Sequence, residues 1–152
     1  MKLSGALLAV CGLAGLFLLR RPVNYSLLDK VVVITGGSRG LGLALAREFS
    51  RHRAKVALLA RDREELQRAA ADLLTSGTEV TTWRCDVQRD QDVEETISAI
   101  GSQYGRIDVL VNNAGIMLVA PLDLMVKEDF EEAMNIHFWA AYRVTMAGLP
   151  LL

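Results

Sequence analysis

The stretch Val31-Val32-Val33-Ile34-Thr35-Gly36-Gly37-Ser38-Arg39-Gly40-Leu41-Gly42 decides how this chain is read. The β-branched run from Val31 to Ile34 favours a strand buried in a parallel sheet. The glycines that follow let the backbone turn sharply and lie against something bulky. Beyond them Leu41, Ala44, Leu45, Glu48 and Phe49 recur at helical spacing. The N-terminus of that helix would aim its free N–H groups and the positive end of its dipole at the glycine turn, which suits a phosphate. Strand, glycine turn and helix together read as a dinucleotide site.

Outward from this unit the pattern repeats. Lys30 to Thr35 is the first expected strand and Gly40 to about His52 the first helix, its basic residues Arg47, Arg51 and Arg53 suiting the C-terminal end. His52 reads as a solvated end residue. Lys55 to Ala60 is a second apolar strand, followed by a helix over Glu64 to Leu74 with Asp62 as N-cap and Glu65 three residues on. Ser76-Gly77 closes that helix. Glu79 to Cys85 is the third strand and about Asp90 to Tyr104 the third helix. Ile107 to Val111 is the fourth strand, ending in Asn112-Asn113-Ala114-Gly115, and a last helix runs from about Lys127 to near Leu149. Strands alternating with helices of this length predict an α/β fold, a parallel sheet with helices on both faces. Right-handed crossovers give the order 3-2-1-4, with a ligand at the C-terminal strand ends beside the switch point between strands one and four.

The N-terminal segment differs in kind. Leu3 to Leu19 is an uncharged run of 17 residues, preceded by Lys2 and closed by Arg20, Arg21 and Pro22. As a helix it spans about 26 Å, the short end of what crosses a bilayer. Arginines and a proline stand where a signal peptidase site would need small residues, so the expectation is an uncleaved anchor over residues 1–21. Residues 22–29 are then a linker and 30–152 the nucleotide-binding domain. The charges flanking the run favour a single-pass topology with that domain on the cytoplasmic side.

With 152 residues there is room for one domain with a real core. A net charge of -1 leaves no electrostatic case for nucleic acid. Cys11 and Cys85 stand far apart and suggest neither a disulfide framework nor a metal site.

Thr-Gly-x-x-x-Gly-x-Gly after the first strand, Asp86 after the third and Asn-Asn-Ala-Gly after the fourth occur together, and from Lys30 to Leu152 the sequence resembles the short-chain dehydrogenase/reductase family. The resemblance implies a partial Rossmann-type, doubly wound sheet. It places Gly36, Gly37, Ser38 and Arg39 along the pyrophosphate and adenosine ribose of a nicotinamide cofactor, with Gly40, Leu41 and Gly42 completing the turn. Asp86 would accept a hydrogen bond from the adenine amino group, Val87 would pack near the ring, and Asn113 and Gly115 would border the nicotinamide ribose. Asn112 is expected to brace the strand end through backbone bonds.

Cofactor choice turns on the end of strand two, where a carboxylate favours NAD(H) and a cation favours a 2′-phosphate. Arg61 stands there, and Arg39 offers a second guanidinium, so the expected cofactor is NADP(H) rather than NAD(H). Asp62 is the dissenting residue, assigned here to the helix cap. The family's proton donor is a tyrosine in Tyr-x-x-x-Lys with a serine upstream, both after a fifth strand. Tyr25, Tyr104 and Tyr142 are followed at the fourth place by Asp29, Asp108 and Met146, so no catalytic residue is assigned. The family's helical asparagine falls at His137, with Asn135 about 200° round the helix from it. His137 could bind a water or be a satisfied interior histidine. The expected activity of the full-length protein is hydride transfer between nicotinamide and a carbonyl or secondary alcohol; a non-catalytic nucleotide-binding or scaffolding module is the alternative. Met134, Phe138, Trp139, Tyr142 and Met146 form a stripe expected in core or in a homodimer interface.

Overall fold

The buried run from Val31 to Ile34 becomes one of the two inner strands of a four-stranded parallel sheet. In the computed structural model, which describes residues 25–74 and 79–152, β1 (Val31–Thr35), β2 (Lys55–Ala60), β3 (Val80–Arg84) and β4 (Val109–Val111) are arranged in the order β3-β2-β1-β4. β1 pairs with β2 through Val32 opposite Val56 and with β4 through Val32 opposite Val109. The helices are α1 (Gly40–Arg51), α2 (Arg63–Leu74), α3 (Asp90–Tyr104), α4 (Lys127–Met134) and α5 (Ala140–Gly148).

Because side chains alternate across a strand, β1 and β2 feed two cores. Val32, Ile34, Val56 and Leu58 pack with Ala46 of α1 and Leu66, Ala69 and Leu73 of α2. Val33, Ala57 and Leu59 face the other way, against Val93, Ile97 and Ile100 of α3 and Ala140 and Val144 of α5. Burial on both faces is the reason for the unbroken apolar reading of β1.

Several boundaries differ from expectation. β1 and β3 begin one residue later than the sequence suggests, and β4 is confined to Val109–Val111. At the start of β4 the Ile107 amide turns back to the Leu151 carbonyl at 2.8 Å. Asp108 is meanwhile held by Lys30 Nζ (2.8 Å), the Val31 amide (2.9 Å) and Arg106 Nε (2.9 Å). The last helix is also not uniform. Between α4 and α5 the five residues Asn135–Trp139 make a π-helical turn, a wider coil often found near functional sites.

Asp62 caps α2 as expected, its Oδ1 accepting the Glu65 amide at 2.9 Å. The reciprocal arm is missing because the Glu65 carboxylate is engaged elsewhere. No helix among the described residues is long and apolar enough to cross a membrane. The expected anchor over residues 1–21, Cys11 and the Ser76-Gly77 helix stop lie outside the described residues.

Candidate functional site

All four strands point their C-terminal ends to one edge of the sheet, and the glycine turn lies on that edge. Gly36 has φ +64°, in the left-handed region that glycine adopts without strain. A Cβ on Gly42 would collide with the Gly36 carbonyl oxygen and stand 2.6 Å from Asn113 Nδ2. Only glycine lets α1 start this close to the turn. No side chain caps the N-terminus of α1, and no acidic residue lies in its first turn, so its leading N–H groups are left for a ligand.

The turn is braced from β4. Asn113 Nδ2 donates to the carbonyls of Thr35 (2.9 Å) and Gly36 (3.2 Å). The Thr35 hydroxyl accepts the amides of Asn113 and Ala114, each at 3.0 Å, and donates to the Val111 carbonyl at 3.3 Å. The brace therefore falls to Asn113, where Asn112 was expected. Asn112 instead turns outward and donates to the Thr145 hydroxyl at 2.9 Å. With its amide hydrogens engaged, Asn113 has its side-chain oxygen left for a ligand.

A groove of about 610 Å³ runs along this edge. Gly36, Ser38, Arg39 and Leu41 line it from the glycine turn, Arg61 from the end of β2, Val87 from beyond β3, and Asn113 and Gly115 from beyond β4. Gly37, Gly40, Gly42 and Asp86 are not among its walls. Gly37 sits beneath the turn, where a Cβ would press 2.7 Å from Leu58 Cδ2. Asp86 is half-buried beside the groove, and its Oδ1 accepts the Gln88 amide at 3.1 Å.

At the far end from Gly115 the groove is charged. Ser38 Oγ donates to Glu65 Oε2 at 2.8 Å, and Arg39 Nη1 lies 3.5 Å from Glu65 Oε1. Arg61 is exposed and makes no ion pair among the described residues. Asp62 also lines the groove, and the Glu65 amide, with smaller help from the Glu64 amide, Arg68 and Arg39, holds its carboxyl below the usual range. Glu65 is the functional candidate that the sequence reading passed over. The only signal for it was position: a residue in the first turn of α2 lies at the same sheet edge as the glycine turn.

A smaller cavity of about 180 Å³ adjoins the groove, lined among others by Thr35, Asn112, Gly115, His137 and Val144. His137 is exposed, which corrects the interior reading, and its Nε2 lies 2.8 Å from the Ile116 carbonyl. A carbonyl only accepts, so in this contact the His137 Nε2–H donates. The ring leaves no room at Gly115, where a Cβ would stand 2.8 Å from His137 Cε1. Asn135 points elsewhere, accepting from Arg143 Nη1 at 3.0 Å, while Arg143 pairs with Asp90 at 2.6 Å. The π-helical turn thus keeps Asn135 and His137 on different faces.

Two further groups near the sheet are raised by burial, Cys85 and Tyr104. Burial pushes the Cys85 thiol up, beyond what its bond to Thr96 recovers. Burial likewise raises Tyr104, whose hydroxyl donates to Thr81 Oγ1 at 3.1 Å, far from the groove edge.

Comparison with known proteins matches residues 30–152 to the short chain dehydrogenase family. The chain belongs to that family. It is 39% identical over 127 residues to 11-beta-hydroxysteroid dehydrogenase A of Sesamum indicum, covering 81% of this chain and 36% of that protein. Among solved structures, a metagenomic short-chain oxidoreductase in complex with NADP is 33% identical, with a TM-score of 0.77 over 84% of this chain and 58% of that one. An NAD+-bound xylitol dehydrogenase is 30% identical, with a TM-score of 0.79 over 84% of this chain and 49% of that one. The chain spans about half or less of the length of the curated relatives it matches.

Proposed function

We propose that residues 30–152 are the NADP(H)-binding portion of an oxidoreductase that transfers a hydride between the nicotinamide and a small-molecule carbonyl or secondary alcohol. One observation carries the cofactor choice: Arg39 and Arg61 line one end of a groove whose other walls are the glycine turn and the Asn113–Gly115 segment. The residues fit the group. The cradle at Gly36 and Gly42 would be filled by a Cβ, the α1 N-terminus is uncapped, and the guanidiniums suit a phosphate dianion. Asp62, which would favour NAD(H), has one oxygen committed to the cap of α2.

When bound, the cofactor supplies or accepts the hydride. The chain's own part is to hold the pyrophosphate on the α1 N–H groups, seat the adenine near Val87 beside Asp86, and border the nicotinamide ribose with Asn113 and Gly115. The NADP complex of the metagenomic relative supports this reading, while the NAD+ complex of xylitol dehydrogenase makes the 2′-phosphate the point to test. Arg61→Asp should weaken NADPH binding at least tenfold, the scale of one lost charge-assisted contact of about 1.5–3 kcal/mol, with NADH affected much less. Equal loss for both nucleotides refutes the assignment.

The wider organisation follows the same reading: residues 1–21 as a single-pass membrane anchor, 22–29 as a linker, and the domain on the cytoplasmic side. The uncharged run Leu3 to Leu19 supports it. The exposed Phe138, Trp139, Tyr142 and Met146, between 47% and 52% accessible, support a homodimer through α5 and its preceding turn. A non-catalytic nucleotide-binding module is the alternative reading. Carbonyl-dependent oxidation of NADPH by these residues alone would exclude it.

A further inference from the structure

Glu65 stands beside Arg39, one of the two guanidiniums that the cofactor reading relies on, and shares a groove with the other, Arg61. It reaches from the first turn of α2 to the glycine turn, where it accepts the Ser38 hydroxyl at 2.8 Å and lies 3.5 Å from Arg39 Nη1. Its side chain is 24% exposed, whereas that of Arg39 is 82% exposed. The carboxylate is thus the fixed member of the pair and the guanidinium the loose one. The charged side chains on this groove are Arg39, Arg61, Asp62 and Glu65, which sum to zero.

We infer that Glu65 sets the balance between the two nicotinamide cofactors, drawing Arg39 away from a 2′-phosphate and offering its own oxygens to an unphosphorylated ribose. The inference rests on the dinucleotide reading above. A dianion entering this end is attracted by both guanidiniums and repelled by the Glu65 charge, and it gains Arg39 only by breaking that residue's ion pair. A ribose diol carries no charge to repel, and a carboxylate oxygen accepts its hydroxyl directly. Asp62 is held differently: its Oδ1 accepts the Glu65 amide at the start of α2, whereas the Glu65 carboxylate reaches across to the glycine turn. Arg61, held by no carboxylate among the described residues, therefore carries most of the phosphate recognition, and Glu65 limits how far the groove favours it.

The test uses a pair of probes that differ only in the phosphate: 2′,5′-ADP and 5′-AMP, titrated calorimetrically against the full chain and its Glu65→Gln variant. Glutamine keeps an acceptor for Ser38 and removes the charge, and a thermal melt of each protein checks that the variant is folded. The expected result is a rise of roughly three- to tenfold in preference for 2′,5′-ADP over 5′-AMP, shrinking as salt is added. An unchanged preference overturns the inference, and a lower one overturns it too, since it would mean that Glu65 steers Arg39 toward the phosphate. Arg61→Asp separates the two levels of the reading. If it lowers 2′,5′-ADP affinity while Glu65→Gln changes nothing, the Glu65 inference alone falls. If neither protein distinguishes the probes, the cofactor reading falls with it.

Discussion

Thr35→Val isolates the brace under the glycine turn, because valine keeps the shape of threonine and removes only the hydroxyl. Thr35 is 2% exposed, and its oxygen accepts the Asn113 and Ala114 amides at 3.0 Å each while donating to the Val111 carbonyl at 3.3 Å. The variant leaves two N–H groups without their partner in a half-buried setting. Each unsatisfied donor costs about 1–3 kcal/mol, partly offset by the methyl group that replaces a buried hydroxyl. The net expectation is a loss of about 2–3 kcal/mol. For a domain of this size that lowers the melting temperature by about 8–12 °C, at about 4 °C per kcal/mol. Urea unfolding followed by circular dichroism should show a lower midpoint with an unchanged slope. Amide exchange should accelerate first at Asn113 and Ala114. Thr82→Val on the outer strand β3, where the residue is exposed, is the control and should change little. A Thr35→Val midpoint that matches the control would refute the view that this hydroxyl ties β1 to β4.

Two further outcomes follow from the same geometry. Gly42→Ala should cost more than Gly40→Ala in thermal melts and in nucleotide binding. The first Cβ collides with the Gly36 carbonyl, whereas the second meets nothing within 4 Å and bears only the φ +55° penalty of about 1–2 kcal/mol; the opposite order would contradict the close-approach role of Gly42. Asp108 should make stability pH-dependent. Burial pushes its carboxyl up, but hydrogen bonds from Lys30, the Val31 amide and Arg106 outweigh burial and hold it below its usual range. A lowered folded value means the contribution is complete above about pH 3.9 and is lost as pH falls through the folded value. Asp108→Asn should therefore be less stable than the parent at pH 7, with the gap closing below about pH 4 in urea titrations; a constant gap would rule out the carboxylate as its source.

Much of this was readable from residue order, since it rests on local chemistry. A β-branched run, a glycine turn and a helix-spaced pattern repeat down the chain, and each is a statement about neighbours in sequence. They place the four parallel strands, their order and the groove edge. Boundaries were less legible where a distant partner intervenes: ahead of β4 the Ile107 amide is claimed by the Leu151 carbonyl, remote in sequence. The two asparagines could not be told apart by type. Which one braces β1 depends on the pleat of β4, and the pleat directs Asn113 inward and Asn112 toward Thr145.

The charged end of the groove shows the same division. Arg39 and Arg61 were legible as residues of the groove because motif position places them at strand ends. Glu65 was not, since in sequence it is only the third residue of a helix whose cap is Asp62. What brings its carboxylate to Ser38 and Arg39 is the packing of α2 beside α1 on one face of the sheet. The π-helical turn is likewise a product of packing, and it sets His137 over Gly115 while Asn135 turns toward Arg143. By itself the sequence determined that a glycine turn would join the end of β1 to the uncapped start of α1, because backbone freedom, strand burial and helix polarity are local properties. Only the tertiary structure decided which side chains share that groove and which of them already hold one another, because contacts between residues tens of positions apart exist only once the sheet has been assembled.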